Sequence, residues 1–232
     1  AASVGYGELS VCARPKVAVI ATGAELVEPG RALAAGEIPD SNSVMVAGLV
    51  TAAGAELVTV ARCGDEPGAL SELLAGLPQV DVIFTTGGVS AGAYEPLRQL
   101  GAGLDFCAVA MQPGKPQGCG LVEGVPLVAF PGNPVSSFVS FQMFGRPLLD
   151  ALTGASASVV RRRAAALDGW PSPRGRRQYV PVVTELDGVR LTHRLGSGSH
   201  LVASLHRADA LAIVPEEREA VAVGDILEVM AV

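Results

Sequence analysis

Four short loops in this chain carry residue types that bind anions. Each loop is rich in glycine or proline and follows an apolar segment: residues 22–25, 86–92, 113–116 and 131–134. The second loop follows Val80, Val82, Ile83 and Phe84, whose β-branched and aromatic side chains are typical of a strand buried on both faces. Glycines at such a strand end leave backbone N–H groups accessible to a ligand. In a parallel sheet these loops would meet along one edge and form a ligand site, whereas for any single loop a simple turn is the better interpretation.

Charged side chains lie in or beside these loops. Lys115 stands between two prolines in a chain that contains only one other lysine, which favours a point-charge role over a solvated loop lysine. The carboxylates Glu25 and Glu95 lie next to the glycine turns and could hold Mg²⁺ through their oxygens. For Asp40 and Asp65 helix capping is at least as good an explanation.

The elements that must position these loops alternate between strand and helix up to about residue 152. This alternation predicts an α/β fold with a mostly parallel sheet and helices on both faces. We expect one helix to follow a polar cap at residues 40–42 and another to run from Asp65 to residue 75. A third should begin at Pro134, with Asn133 as its N-cap.

The character of the sequence changes after residue 153. Short strand-like segments follow, and Asp187-Gly188 is a strong hairpin signal between two of them. We therefore predict an incoming strand or linker over residues 1–15, an α/β domain over residues 16–153, and a small all-β domain over residues 154–232.

Composition and charge exclude several functions. The net charge is −6, and aromatic residues make up 4% of the chain, which disfavours a base-stacking nucleic-acid surface. No apolar run approaches the ~20 residues that a membrane span needs. The four cysteines show no metal-ligand spacing and suit free thiols in a reducing cytoplasm.

The ordered set of motifs resembles one known family. The segments are VAVIATGAELVEPG, IPDSNSVMV, DEPGAL, VDVIFTTGGVSAGAY, MQPGKP and FPGNPVSSF, and the similarity resumes in GSGSHLVASLHRADALAIVPE and VGDILEVM. In this order and spacing they are similar to the molybdopterin molybdenumtransferase family, which includes bacterial MoeA and the gephyrin E-domain. The match runs over residues 5–152 and continues more weakly to the end. The resemblance covers the C-terminal two domains of that family.

The resemblance implies a molybdopterin-binding fold of three layers followed by a β-barrel-like domain, in a cytoplasmic homodimer. It implies that adenylylated molybdopterin and molybdate are the substrates, that Mg²⁺ is required, and that AMP is released. An upstream adenylyltransferase is a possible partner. The implied catalytic residues are Glu95, Asp65 and Lys115, and the implied metal ligands are Glu25, Asp65 and Glu95. The implied substrate-binding residues are Thr22, Gly23, Asp40, Asn42, Thr86, Gly87, Gly88, Ser90, Gly92, Lys115, Pro131, Gly132, Asn133, Ser136 and Ser199.

Several positions depart from the family pattern. Acidic residues are usual where this chain has Ala24 and Ala93, and aspartate is usual at the position of Glu95. Cations are usual where it has Gln112 and Pro181. These departures motivate a second hypothesis, in which the chain is a pterin- or nucleotide-binding or scaffold module with impaired catalysis.

Overall fold

A computed structural model describes residues 1–89, 96–101, 103–155, 160–193 and 202–232. The strands of the first part are β1 Lys16–Thr22, β2 Leu26–Val27, β3 Ile38–Pro39, β4 Glu56–Cys63, β5 Val82–Thr86, β6 Leu104–Ala108, β7 Met111–Gln112, β8 Pro116–Val122 and β9 Val125–Phe130. Its helices are α1 Asn42–Ala52, α2 Ala69–Ala75, α3 Pro96–Gln99, α4 Pro134–Ser140 and α5 Arg146–Leu152, and the π-helical turn Phe141–Gly145 joins the last two. A short 3₁₀ helix, Ala2–Val4, precedes them. Within the described ranges no helix is long and apolar enough to span a bilayer.

Six strands form one mixed sheet in the order β4-β1-β5-β9-β8-β6. The pairs β1–β4, β1–β5 and β5–β9 are parallel, whereas β8 runs antiparallel to both of its neighbours. The prediction of a mostly parallel sheet is therefore confirmed. Because β1, β5 and β9 run in the same direction, their carboxyl ends lie side by side at one edge.

Both faces of this sheet are covered. On one face Val17, Phe84 and Phe130 pack with the π-helical Phe141 and with α1 and α5. On the other face Ile20 and Ile83 belong to the cluster that contains residues of α2 and α3. All five residues of β5 are buried, as the apolar run of residues 80–84 predicted. The result is the predicted three-layer α/β arrangement.

Two of the predicted helix starts hold and one shifts. The α1 helix begins at Asn42, at the predicted polar cap. Asn133 is the N-cap of α4 and Pro134 is its first residue. In contrast, α2 begins at Ala69 rather than at Asp65, so the prediction was wrong by one turn. The reason is Gly68, which adopts a left-handed φ of 84° and breaks the helical path between Pro67 and Ala69.

The second part of the chain is built mainly from strands. They are β10 Arg161–Ala165, β11 Trp170–Pro171, β12 Arg177–Glu185, β13 Gly188–Leu191, β14 Ala210–Val214, β15 Ala220–Val221 and β16 Ile226–Ala231, with a 3₁₀ helix at Val202–Arg207. The sheet order is β10-β16-β14-β12-β13, and each neighbouring pair is antiparallel. A bridge between Ala166 and Val189 brings the two edges together. This closure gives the barrel-like shape predicted for the small all-β domain.

The two parts of the chain share a strand pairing and an apolar cluster. Although β7 lies between strands of the first sheet in sequence, it pairs in parallel with β12, matching Met111 with Arg177. Next to it, Val135 and Phe138 of α4 pack in one cluster with Tyr179 and Leu211 of the barrel. The loop of residues 113–116 therefore leads from the barrel sheet back into the α/β sheet. The predicted domain boundaries stay a prediction.

Candidate functional site

A cleft of about 440 Å³ opens at the carboxyl ends of β1, β5 and β9. This is the edge at which ligands bind in open α/β sheets. The volume lies within the usual range for small-molecule sites, roughly 300–1,000 Å³. The lining residues are Thr22, Gly23, Glu25, Leu26, Ile38, Pro39, Asp40, Ser41, Asn42, Asp65, Thr86, Gly87, Gly88, Gly132, Asn133 and Pro134. Three of the four loops singled out in the sequence thus meet at one site.

The floor of the cleft is made by glycines that approach other backbone atoms closely. Gly87 has a φ of 88°, and a Cβ atom placed on it would lie 2.5 Å from the Thr22 carbonyl oxygen. Its N–H donates to the carbonyl oxygen of Phe130 at 3.0 Å, which ties the end of β5 to the end of β9. Gly132 lies beside it, because a Cβ atom placed on Gly132 would be 3.6 Å from the Gly87 Cα. The packing of these strand ends therefore requires glycine at position 87 and leaves the floor without side chains.

Two carboxylates border this floor. The Glu25 carboxylate folds back against Gly23, because a Cβ on Gly23 would lie 2.7 Å from Glu25 Oε2. Asp65 accepts a long hydrogen bond from the backbone N–H of Ala24, with 3.4 Å between Oδ2 and N. In the part of the chain that the structure describes, neither carboxylate forms an ion pair. The cleft therefore presents negative charge that protein cations do not neutralise there.

Asp40 also lines the cleft, but its carboxylate is engaged in the fold. Its Oδ1 accepts the Ser43 backbone N–H at 3.0 Å, and its Oδ2 accepts the Ser43 hydroxyl. Arg62 adds an ion pair at 3.9 Å. Because these bonds hold the first turn of α1, the capping interpretation of Asp40 accounts for the geometry. A substrate role of Asp40 stays a prediction.

Polar side chains with unused hydrogen-bonding capacity form another wall. Asn42 donates from Nδ2 to the Gly132 carbonyl oxygen at 2.6 Å, and its Oδ1 is buried without a protein partner in the described ranges. The Thr86 hydroxyl is likewise buried and unpaired among the described residues. Thr22 donates from Oγ1 to the Thr86 carbonyl oxygen at 3.3 Å. Buried polar atoms of this kind are normally satisfied, so they indicate a ligand or water at this wall.

Cys63 ends β4 behind the same cleft. Its carbonyl oxygen accepts the Gly23 N–H at 3.0 Å, which positions the first loop. Burial, followed by the charges of Glu66 and Asp65, raises the pKa of the Cys63 thiol. The thiol therefore stays protonated near neutral pH and is a poor nucleophile.

Other predicted site residues lie elsewhere or outside the described ranges. Pro131 is buried, and its carbonyl oxygen accepts the hydroxyl of Ser137; Ser136 is buried in α4. Lys115 is exposed in the loop between β7 and β8, and none of these three residues lines the cleft. Four predicted site residues lie outside the described residues: Ser90, Gly92, Glu95 and Ser199.

The predicted metal ligands are only partly placed. Glu25 and Asp65 share the cleft, while Glu95 falls outside the described residues. Within the described ranges no three His, Cys, Asp or Glu side chains come together as a metal site. The arrangement seen is thus a pair of carboxylates, and the three-residue metal site stays a prediction.

The sequence interpretation missed one wall of the cleft. Leu26, Ile38, Pro39 and Ser41 line it, and the first three belong to the short parallel ribbon of β2 and β3. Strands of two residues are too short to show a periodic pattern. The sequence Glu28-Pro29-Gly30 between them indicates a turn, but a turn signal does not identify the pairing partner.

Two of the departures from the family pattern lie where the two parts of the chain meet. Gln112 belongs to β7 and is paired with Gln178 of β12. Pro181 is buried in β12, two residues after Tyr179 and therefore on the same strand face. That face packs against α4. The protein has no cationic side chain at either position.

Comparison with known proteins agrees with this geometry. Residues 18–151 match the profile described as "Probable molybdopterin binding domain", and residues 163–232 match "MoeA C-terminal region (domain IV)". The chain is 40% identical to molybdopterin molybdenumtransferase 2 of Mycobacterium tuberculosis over 240 residues, covering 99% of this chain and 59% of that protein. It is 31% identical to the molybdopterin molybdenumtransferase of Bacillus subtilis, covering 92% and 52%.

A solved structure gives the same result. The crystal structure of the molybdopterin biosynthesis MoeA protein from Pyrococcus horikoshii superposes with a TM-score of 0.80 at 30% identity, covering 94% of this chain and 54% of that one. The chain thus spans a little over half the length of the relatives it matches. The family predicted from the motifs is confirmed: the chain belongs to the molybdopterin molybdenumtransferase, or MoeA, family.

Proposed function

We propose that the protein acts in molybdenum cofactor biosynthesis as a molybdopterin molybdenumtransferase. In this reaction molybdate is inserted into adenylylated molybdopterin, and AMP is released in a Mg²⁺-dependent step. The observation that supports it most directly is the cleft at the carboxyl ends of β1, β5 and β9, where a glycine floor meets two carboxylates. The names of the relatives agree with this assignment.

The glycine floor suits the phosphate-bearing part of such a substrate. Gly87 and Gly88 carry no side chain that would keep phosphate oxygens away from the backbone, and Gly132 lies beside Gly87 in the same floor. The open acceptor of Asn42 and the Thr86 hydroxyl supply directional contacts to a polar ring or a ribose. We therefore place the phosphate on the glycine floor and the ring system against the Asn42 wall.

The carboxylates fit a magnesium ion. Glu25 and Asp65 line the cleft without a cation partner in the described ranges, and carboxylate oxygens together with substrate phosphates are the ligands that Mg²⁺ prefers. A bound Mg²⁺ would offset the charge that a phosphoanhydride accumulates when it is cleaved. Asp40 is a weaker candidate ligand because its oxygens hold Ser43.

Lys115 and Ser136 are proposed to contact the molybdate oxyanion. Ser136 is the third residue of α4, whose first residue Pro134 lines the cleft. Lys115 is one of two lysines in the chain and supplies a compact positive charge. Glu95, with Asp65, is proposed to act in cleavage of the adenylyl bond, and Ser90, Gly92 and Ser199 to complete the substrate contacts. We further propose that the protein is a cytoplasmic homodimer and that an upstream adenylyltransferase supplies its substrate.

Release of AMP tests this function directly. The intact protein is incubated with adenylylated molybdopterin, molybdate and Mg²⁺, and AMP is measured by chromatography. We expect AMP release that requires both molybdate and Mg²⁺. A protein that binds the substrate but releases no AMP under these conditions would contradict the proposal.

The residues at positions 112 and 181 are the reason to retain the alternative function, a binding or scaffold module with impaired catalysis. Position 181 holds a buried proline on the strand face toward α4, and position 112 holds a half-buried glutamine, so two cations usual in the family are absent. A pterin- or nucleotide-binding or scaffold module with impaired catalysis would bind substrate tightly without turnover. In that case Gln112→Lys should restore AMP release, and a variant unchanged in both binding and turnover removes the basis for this alternative.

A further inference from the structure

The loop that carries Lys115 is held at the junction of the two sheets. It leaves β7, which pairs with β12 of the barrel, and enters β8 of the α/β sheet. The Lys115 carbonyl oxygen accepts the Val109 N–H at 2.8 Å, and Gly114 has a φ of 99°. The Lys115 side chain itself is exposed. The position of the ammonium group therefore depends on how firmly this backbone is fixed.

One buried amide side chain fixes it. Gln117, the second residue of β8, donates from Nε2 to the Gly114 carbonyl oxygen at 2.7 Å and to the Ser140 hydroxyl at 2.6 Å. Ser140 is fully buried and ends α4, directly before the π-helical turn. A Cβ on Gly114 would lie 3.0 Å from Ser140 Oγ and 3.1 Å from Gln117 Nε2, so the loop backbone touches both groups. The amide thus joins the loop to the helix whose N-terminal end forms the cleft wall.

Stability alone does not explain an amide side chain at this position. Gln117 is only 6% exposed, and its Oε1 has no hydrogen-bond partner in the described part of the chain. A buried amide that leaves its acceptor open destabilises the fold relative to an apolar side chain of the same length. An apolar residue would pack here but would release the Gly114 carbonyl.

We propose that Gln117, acting through Ser140, is a positioning residue that sets the place of Lys115 relative to the cleft. It does not touch the reacting atoms. This inference rests on the proposed function for its chemical meaning, because Lys115 is assigned there to the molybdate oxyanion. Its structural part, a clamp between the 113–116 loop and α4, is tested without substrate.

The substrate-free test is amide hydrogen exchange. Gln117→Met keeps the length of the side chain and removes both donors, and Ser140→Ala removes one partner with a smaller perturbation. We expect exchange in peptides covering residues 109–117 to become about fivefold faster, the ratio that corresponds to one lost hydrogen bond. Strand β1 should keep its exchange rate, and Gln79→Met, in an exposed loop, is the matched control. Unchanged exchange in the loop, or equally faster exchange throughout the sheet, overturns the clamp.

The kinetic test separates positioning from stability. In the intact protein, Gln117→Met should raise KM for molybdate about tenfold while KM for the pterin substrate stays within twofold, because only the oxyanion contact is displaced. A lower kcat with both KM values unchanged would mean loss of folded enzyme and overturns the positioning role. If the unmodified protein releases no AMP, the proposed function fails, and the exchange experiment still decides whether Gln117 clamps the loop.

Discussion

Replacing Gly87 with alanine should damage the protein far more than the same replacement at two other glycines. Gly87 combines a left-handed φ of 88° with close contact to β1, because the new Cβ would lie 2.5 Å from the Thr22 carbonyl oxygen and 2.9 Å from Thr22 Oγ1. Gly30 has a similar φ of 93° but nothing within 4 Å of the new atom. Gly132 lies in the cleft without a left-handed φ, and its nearest contact is 3.6 Å. The three variants therefore separate backbone strain from steric overlap.

The magnitudes follow from these contacts. A left-handed conformation costs an alanine about 1–2 kcal/mol, and the loss of glycine freedom in the unfolded chain offsets about 0.4–1 kcal/mol of that. Gly30→Ala should therefore lower the free energy of unfolding by about 1 kcal/mol, and Gly132→Ala by less than about 0.5 kcal/mol. Overlap at a buried strand end adds about 1–3 kcal/mol, so Gly87→Ala should cost about 2–4 kcal/mol.

Urea unfolding followed by circular dichroism measures these differences, provided that the m-value stays constant across the series. Binding of adenylylated molybdopterin gives a second measurement, since Gly132→Ala should weaken binding while leaving stability nearly unchanged. If Gly87→Ala were no less stable than Gly30→Ala, the close packing of the strand ends would not be what requires glycine. The account of the cleft floor would then be wrong.

Three further predictions concern residues that line the cleft or lie directly behind it. Asp40→Ala should lower the free energy of unfolding by about 2–4 kcal/mol, because α1 loses its cap and the Ser43 hydroxyl is left unpaired, while Asp81→Ala on the surface should cost about 1 kcal/mol or less. Burial raises the pKa of the Cys63 thiol, so the folded state binds that proton more tightly than the unfolded state. The contribution of this thiol to the free energy of unfolding should therefore be fully present below the ordinary thiol pKa of about 8.5. It should be lost as pH rises through the raised pKa of the folded state. Cys63→Ala should flatten that fall in urea unfolding measured against pH, and an equally steep fall would assign it to other groups. Glu25→Gln and Asp65→Asn should each reduce Mg²⁺-dependent AMP release about a hundredfold, with Asp81→Asn as the unaffected control, and full activity in either variant would remove that carboxylate from the metal site.

Most of the fold could be predicted from the sequence because the residues within each main element are sufficient to identify it. The β5 strand begins with the apolar residues Val82, Ile83 and Phe84, and all five of its residues are buried. The α4 helix begins where an N-cap residue is followed by proline. By contrast, the start of α2 depends on the left-handed conformation of Gly68, which the acids and proline before it do not reveal. The ribbon of β2 and β3 depends on a pairing between two-residue strands, which has no local signature.

Only part of the candidate site could be predicted from the sequence, because some of its residues are placed by contacts that are distant in sequence. The glycine floor and the carboxylates Glu25 and Asp65 follow their strands directly, so sheet topology alone brings them together. The role of Asp40 was open in the sequence because one side chain can cap a helix and line a cleft at once, and the contacts with Ser43 decide in favour of capping as its structural task. The placement of Lys115 depends instead on β7, which joins the barrel sheet although its sequence neighbours belong to the other sheet.

Because β7 pairs with the barrel sheet, the junction of the two sheets determines where Lys115 lies in the proposed chemistry. A lysine on an isolated exposed loop would sample many positions, and a point charge contributes to anion binding only when it is held near the anion. Here the loop is tied at one end to β12 of the barrel and at the other to α4 through Gln117. Any shift of the barrel relative to α4 would therefore move Lys115 before it moved the glycine floor. Substitutions in the cluster of Phe138, Tyr179 and Leu211 should on this reasoning alter the response to molybdate more than the binding of the pterin substrate.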